Sequence, residues 1–184
     1  MKARPTGVIP PMTTPFRKDG EIDFKQVAPQ VDWLIGAGSH GMAAGGSTGE
    51  GHTLDHEEYR DLMAATVEAA KGRAPVIAGI IVDSTRDAIR RGKLVRDMDV
   101  AALQVTPVHY LFKPDDQAMV DHFRRMADET GMPIIIYNVV PWSYLSPALL
   151  TRIMTEVPLV VGVKQSAGDL KLFADLMMMA GAFT

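Results

Sequence analysis

Residues 133–164 read PIIIYNVVPWSYLSPALLTRIMTEVPLVVGVK. Two short apolar runs, at 133–138 and 159–164, enclose an amphipathic stretch at 146–156. The runs are rich in valine and isoleucine and carry almost no charge, which is typical of parallel strands that are covered by helices. This part of the chain therefore predicts a β-α-β unit.

The same alternation of apolar and amphipathic segments extends over the whole chain. Besides the two strands above, we predict strands at 7–10, 41–45, 75–82 and 100–106. Besides the helix above, we predict helices at 23–37, 55–71, 84–97, 115–130 and 169–180. Expected helix caps are Asp55 and Ser84, and glycines suited to positive φ at helix ends are Gly36, Gly72 and Gly131. Pro29 predicts a kink in the first helix or a later start of that helix.

Two α/β architectures fit six such units. A doubly wound sheet carries a glycine-rich phosphate loop after its first strand, whereas residues 12–16 read MTTPF. A G-x-G-x-x-G pattern at 36–41 follows a helix and precedes a strand, the reverse of the order that dinucleotide binding requires. We therefore predict a (β/α)8 TIM barrel that forms one domain over residues 1–184, with about six of the eight βα units present.

An eight-stranded barrel needs two further units. A seventh strand is expected to begin near residues 182–184, so we predict that the last two βα units and any C-terminal helices are absent from this chain. Without them, the first and sixth strands would have unpaired hydrogen-bonding edges.

Composition narrows the classes of function. The chain has 184 residues, of which 47% are hydrophobic and 22% charged, and its formal net charge is −3. Its longest basic runs, Arg90-Arg91 and Arg124-Arg125, are too short for the positive stripe that phosphate backbones require. No stretch approaches the ~18 apolar residues of a membrane span. We expect neither a nucleic-acid partner nor a membrane.

The chain contains no cysteine, which excludes disulfides and thiolate zinc sites. Residues 1–5 include basic side chains, but no long apolar segment follows them, so we expect a cytoplasmic protein without a secretory signal. His52 and His56 lack the intervening glutamate of a zinc-protease motif, and we interpret them as surface residues. Asp115-Asp116 resembles a helix cap. No metal site is predicted.

Candidate catalytic residues lie where the fifth and sixth strands end. Lys164 ends an apolar run and is expected to point toward a water-poor centre, where an amine is more easily kept uncharged. An uncharged amine attacks carbonyl carbon. Tyr137 ends the run 134–136, so its phenol is placed to transfer protons at the barrel mouth. The alternatives are a lysine that reaches solvent and a structural tyrosine.

A candidate anion site follows the second strand. Residues 45–51 read GGSTGEG, and Ser47 and Thr48 supply two hydroxyls beside several backbone N–H groups. Such a loop can bind a small carboxylate like that of a 2-oxo acid. The alternative is a tight turn whose hydroxyls only cap its own backbone.

Together, Gly46-Ser47-Thr48-Gly49-Glu50, Tyr137-Asn138 and Gly162-Val163-Lys164 resemble the dihydrodipicolinate synthase and N-acetylneuraminate lyase family. The resemblance extends from about Gly7 to the end of the chain and includes residues 11–16, PMTTPF, and Thr106-Pro107. It implies a lyase, an aldolase or dehydratase, that forms a Schiff base with pyruvate or another 2-oxo acid and needs no cofactor.

The resemblance also implies residue roles and an assembly. Lys164 would form the imine, Tyr137 would transfer protons, Ser47 would complete the proton relay, and Gly46 and Thr48 would bind the substrate. Family members are mostly homotetramers built as dimers of dimers. A further tyrosine from a neighbouring subunit often joins the relay. Tyr110 is the candidate for that role, with His109 as the alternative.

One difference from the family concerns the substrate. Synthases that make dihydrodipicolinate usually carry an arginine after the strand that ends in Tyr137-Asn138, and it binds the carboxylate of the second substrate. Here residues 139–144 read VVPWSY, which contains no cation to replace a guanidinium. Another 2-oxo-acid lyase is therefore favoured over that synthase. A barrel that binds small acids without turnover remains an alternative, as does a chain that is inactive because the last two strands complete its pocket.

Overall fold

The computed structural model describes residues 5–181, and their centre is one parallel sheet of five strands in the order β1-β2-β3-β4-β5. The strands are β1 (Met42–Ala44), β2 (Val76–Ile80), β3 (Val100–Val105), β4 (Ile134–Asn138) and β5 (Val160–Gln165). Because every neighbouring pair is parallel, the carboxyl ends of all five strands lie at the same edge of the sheet. The predicted α/β class is confirmed.

Within residues 5–181, six helices accompany the sheet: the first precedes β1, and one helix follows each strand. They are α1 (Val27–Gly36), α2 (His56–Ala70), α3 (Thr85–Val95), α4 (Asp116–Thr130), α5 (Pro147–Glu156) and α6 (Leu170–Ala180). Two short 3-10 turns occupy Phe24–Gln26 and Pro141–Ser143. Asp55 and Glu58 form a capping box at the start of α2, and Ser84 and Asp115 accept backbone hydrogen bonds at the starts of α3 and α4.

The strand predicted at 7–10 is wrong. Residues 8–12 run extended beside β1, but they form only an isolated parallel bridge between Pro11 and Ala43. The Ala43 N–H donates to the Pro10 carbonyl at 3.0 Å and the Met12 N–H to the Ala43 carbonyl at 2.8 Å. Pro10 and Pro11 have no N–H group to donate, so a regular ladder cannot form there.

The first helix differs from its predicted bounds for a related reason. A 3-10 turn precedes α1, which begins at Val27 and holds Pro29 in its first turn, where a missing N–H costs no intrahelical bond. The later start was one of the two predicted outcomes. Gly72 and Gly131 have the predicted positive φ, but Gly36 is the last helical residue and Gly38 takes the positive φ instead.

The core lies between the strands and the helices packed on them. All residues of β1, β2 and β3 are buried, whereas five of the six β5 residues are only partly buried, since β5 is the last strand of the described sheet. Met177, Met178 and Met179 on α6 are exposed. The seventh strand expected near 182–184 lies outside the described residues, as does the start of the chain at residues 1–4.

Within residues 5–181, no helix combines the length and the apolar character that crossing a bilayer requires.

Gly79 in β2 allows the loop after β1 to pack directly on the sheet. A Cβ atom at Gly79 would lie 2.5 Å from the Gly46 nitrogen and 2.6 Å from the Gly45 oxygen. Both contacts are with backbone, so no side-chain rotation can relieve them. We expect Gly79→Ala to lower the free energy of unfolding by ~3 kcal/mol, measured by urea denaturation.

Gly162→Ala in β5 is the matched control, because a Cβ atom there meets nothing within 4 Å. Its expected change is within ~0.5 kcal/mol. Equal stability of the two variants would contradict the close packing of the loop on β2.

His122 on α4 makes the stability of the fold depend on pH. Burial lowers the pKa of its imidazole to about 4. Its Nδ1 lies 2.9 Å from the Thr85 hydroxyl. The unfolded chain takes up a proton on this ring near pH 6.5, whereas the folded chain does so only near pH 4, so stability present at neutral pH is lost as the pH falls between these values.

We expect the free energy of unfolding to fall by ~3 kcal/mol between pH 7 and pH 4 through this residue. His122→Gln should remove that part of the pH dependence, as measured by urea denaturation at several pH values. His52→Gln, at an exposed position, should keep it. A His122→Gln profile parallel to the original would show that the ring does not control the transition.

Candidate active site

The two main candidate residues face each other across neighbouring strands. Tyr137 in β4 pairs in register with Lys164 in β5. The Lys164 Nζ lies 4.1 Å from the centre of the Tyr137 ring, within the distance range of cation–π contacts. The amine and the phenol therefore share one small region at the carboxyl end of the sheet.

Asn138 fixes the ends of these two strands. Its side chain is fully buried; its Nδ2 donates to the Gln165 Oε1 at 2.8 Å and to the Leu145 carbonyl at 3.1 Å, while its Oδ1 accepts from the Leu145 N–H. The Ser166 N–H also donates to the Asn138 carbonyl. One amide thus ties β4, β5 and the loop after β4 together. Its role in the fold was not predicted, although a polar residue ending an apolar strand was the available signal.

Lys164 is less enclosed than the sequence suggested. Tyr137 is buried, but Lys164 is only partly buried because β5 has a neighbouring strand on one side alone among the described residues. The expected water-poor position of the amine is therefore not present in this arrangement. The expected closeness of the Lys164 amine to a tyrosine is present, because the amine lies against the Tyr137 ring.

The GGSTGEG loop is held by its own backbone. The N–H groups of Gly49 and Gly51 donate to the Gly46 carbonyl, and Thr14 Oγ1 donates to the Gly49 carbonyl at 2.5 Å. The side chains of Ser47 and Thr48 are exposed. Neither hydroxyl bonds to another protein group among residues 5–181, so both are free to bind a ligand.

The loop shares the edge of the sheet with the amine and the phenol but does not touch them. It follows β1, and two strands, β2 and β3, separate β1 from β4. Buried Gln104 on β3 lies between them, and its Nε2 would be 3.6 Å from a Cβ atom at position 46. Gln104 was not predicted as part of the site, and its signal was a polar residue inside an apolar strand.

Tyr110 and His109 lie side by side, and His109 lines two clefts. Tyr110 is 74% exposed and lines a surface cleft together with His109, Leu111 and Trp142. His109 also lines a cleft of about 460 Å³ together with Ser47, His52 and Asp83. Of the two candidates, His109 is therefore the one that shares a cleft with Ser47 of the GGSTGEG loop.

Two of the residues considered for metal binding, His56 and Asp115, have structural partners. His56 is not a simple surface residue, because its Nε2 lies 2.6 Å from Asp87 Oδ1 in a partly buried pair. Asp115 caps α4 as predicted. Among residues 5–181, no group of three or more histidine or acidic side chains is arranged to hold a metal ion.

Comparison with known proteins agrees with this arrangement. The model of the dihydrodipicolinate synthetase family matches residues 4–182. The chain is 36% identical over 179 residues to the 4-hydroxy-tetrahydrodipicolinate synthase of Nitratidesulfovibrio vulgaris, covering 96% of this chain and 60% of that protein. It is 41% identical over 175 residues to the synthase of Roseobacter denitrificans, covering 92% and 58%. The chain thus spans about 60% of the length of these relatives.

Solved structures show the same architecture. The chloride-inhibited dihydrodipicolinate synthase of Acinetobacter baumannii, complexed with pyruvate, superposes with a TM-score of 0.90 at 31% identity, over 98% of this chain and 61% of that one. The prophage protein YagE of E. coli K12, also in complex with pyruvate, superposes with a TM-score of 0.91 at 26% identity, over 96% and 60%. The predicted TIM barrel is confirmed as a partial barrel, and the chain belongs to the dihydrodipicolinate synthetase family.

Proposed function

We propose that the protein is a lyase, an aldolase or dehydratase, that forms a Schiff base between Lys164 and pyruvate or another 2-oxo acid. The observation that carries this proposal is the pairing of Lys164 with Tyr137, 4.1 Å from the amine to the ring centre. A nucleophilic amine and a phenol at neighbouring strand ends supply the two groups that imine chemistry needs.

The chemistry assigns one task to each group. The unprotonated Lys164 amine attacks the keto carbon, forming a C–N bond and a carbinolamine, whose hydroxyl leaves as water once it has been protonated. Tyr137 is the proton donor for that step and the acceptor when a proton leaves the adjacent carbon. Ser47 and Thr48, with the backbone N–H groups beside Gly46, bind the substrate carboxylate, and Ser47 extends the proton relay.

The relatives support the substrate class. Two solved structures of this fold are described as complexes with pyruvate. Because the chain spans about 60% of the length of its relatives, the activity is proposed for the whole protein. No cofactor is needed for this chemistry, and a cytoplasmic, cysteine-free enzyme is consistent with the composition.

A homotetramer of paired dimers is part of the proposal. Tyr110, Leu111, Phe112 and Trp142 form an exposed apolar patch beside the site, which suits burial against a second subunit. In that arrangement Tyr110 acts in the site of the neighbouring subunit, with His109 as the alternative for that role.

A second candidate is 4-hydroxy-tetrahydrodipicolinate synthase, which is the name that relatives at 36–41% identity carry. Residues 139–144 hold no cation, but Lys113 donates from its Nζ to the Tyr144 carbonyl at 3.0 Å, which brings a positive charge to this loop. A lysine lacks the bidentate geometry of an arginine. Rates with matched aldehydes that carry or lack a carboxylate separate this synthase from other lyases.

Reduction with borohydride tests the Schiff base directly. We expect incubation with pyruvate and borohydride to add the mass of a reduced pyruvate adduct to the protein, and peptide mapping to place it on Lys164. Lys164→Ala should lose the adduct, because Lys164 supplies the amine that lies against the Tyr137 ring. Lys18→Ala, at an exposed position, should keep it. A folded full-length protein that stays unlabelled would exclude the lyase and favour a barrel that only binds small acids.

Tyr137→Phe tests the proton transfer. The substitution keeps the ring beside Lys164 and removes only the hydroxyl, so we expect the rate of adduct formation at saturating pyruvate to fall by ~100-fold with little change in half-saturation. Tyr144→Phe is the control, with an expected rate within ~2-fold of the original. An unchanged rate in Tyr137→Phe would assign the proton transfer to another group.

A further inference from the structure

Arg91 is a buried cation directly behind the GGSTGEG loop, the proposed carboxylate site. It lies on α3 and is only 6% exposed. Its Nη1 donates to the Gly51 carbonyl at 3.0 Å, its Nη2 to the Leu54 carbonyl at 2.7 Å, and its Nε to the Asp87 carboxylate at 3.2 Å. One planar guanidinium thus connects α3 to two points of the segment that follows Ser47 and Thr48.

The charge of Arg91 is balanced where it lies. Asp87, one helical turn earlier, bonds to Arg91 through Oδ2 and to His56 through Oδ1. Burial by itself raises the pKa of the Asp87 carboxyl, but the hydrogen bond with His56 and the charge of Arg91 outweigh it and hold that pKa below its usual range. The guanidinium also lies 5.2 Å from the centre of the buried Tyr59 ring. A buried charge that is paired and hydrogen-bonded in this way can be retained without unfolding its surroundings.

The contact at Gly51 controls the turn that carries the hydroxyls. The Gly51 N–H donates to the Gly46 carbonyl at 3.0 Å and closes the turn, while Arg91 holds the Gly51 carbonyl from the other side. A Cβ atom at Gly51 would lie 1.8 Å from the Gly45 oxygen, so the two ends of the turn are in direct contact. Ser47 and Thr48 lie between these ends, and their position follows from where Gly51 is held.

We infer that Arg91 is a positioning residue that sets the Ser47-Thr48 turn for the substrate carboxylate. This inference rests on the proposed function, because it assigns that turn to the carboxylate of a 2-oxo acid. Arg91 acts chiefly on affinity for the acid and only weakly, through Ser47, on the rate. Its contacts are with the loop after β1 and with α2 and α3, whereas Lys164 and Tyr137 lie on β5 and β4.

Three variants test this role with pyruvate as the probe. Arg91→Met removes all three donors and retains an unbranched apolar chain over Tyr59. Arg91→Lys keeps the charge but cannot bond both carbonyls and Asp87 together. Arg90→Met changes the neighbouring arginine, which is exposed on the same helix, and serves as the control. Borohydride trapping gives the half-saturating pyruvate concentration and the rate at saturation for each variant.

We expect the half-saturating pyruvate concentration to rise ~10-fold in Arg91→Met and ~3-fold in Arg91→Lys, with Arg90→Met unchanged and all saturated rates within ~2-fold. Amide hydrogen exchange should become faster in residues 46–54 and remain the same in β4 and β5. Should Arg91→Met fail to fold, Arg91→Lys decides the question by the same two readouts.

Unchanged half-saturation in folded Arg91→Lys and Arg91→Met, a rise that Arg90→Met shares, or a fall in the saturated rate as large as the rise in half-saturation would overturn the inference. Failure of the proposed function looks different, because the unsubstituted protein would then form no adduct. In that case, exchange rates in residues 46–54 that are the same in Arg91→Met as in the unsubstituted protein would overturn the positioning role as well.

Discussion

Parallel pairing of the five strands is the constraint on which the candidate site depends. Each strand reaches the same edge of the sheet with its carboxyl end, so residues far apart in the chain, such as Ser47 and Lys164, come to one rim. The register between β4 and β5 then places Tyr137 opposite Lys164. A shift of one residue in that register would turn one of the two side chains to the other face of the sheet.

Two kinds of interaction stabilise this edge of the sheet, side-chain hydrogen bonds and backbone packing. On the β4–β5 side, a single buried amide, Asn138, bonds to the neighbouring strand and to the following loop. On the β1 side, the support comes from backbone packing, because Gly79 and Gly51 leave no space for side chains beneath the turn. Arg91 adds a charged contact from α3 to that turn. The proposed amine and the proposed anion site are therefore held by separate interactions, which allows affinity and chemistry to be altered independently.

The half-buried position of Lys164 has a clear physical origin. A parallel strand is enclosed only when it has a neighbour on both sides and helices over its outer face. Among residues 5–181, β5 has β4 as its one neighbouring strand, and several apolar side chains of α6 are exposed next to it. The partial burial of Lys164 therefore follows from the neighbours that the described residues supply.

The sequence by itself determined the order and type of nearly every element, because the 2-residue and 3.6-residue periodicities and the helix caps are local properties. Asp55, Ser84 and Asp115 each cap the helix that was predicted to follow them. The residue types of the site could also be predicted from the sequence, since a lysine, a tyrosine and a serine-threonine pair follow apolar runs that predict strands. The strand at 7–10 was misjudged because the apolar pattern says nothing about the N–H groups that Pro10 and Pro11 lack.

Only the tertiary structure decided which of these residues meet. Three of these contacts join positions that are 27 to 40 residues apart in the chain. They are the contact of Lys164 with Tyr137, the hydrogen bond of Asn138 to Gln165 in β5, and the hydrogen bond of Arg91 to the Gly51 carbonyl. Contacts of this kind depend on strand register and helix packing, which no local pattern encodes. The pairing of His56 with Asp87 and the exposure of Tyr110 are of the same kind, because each follows from the neighbours that the fold supplies.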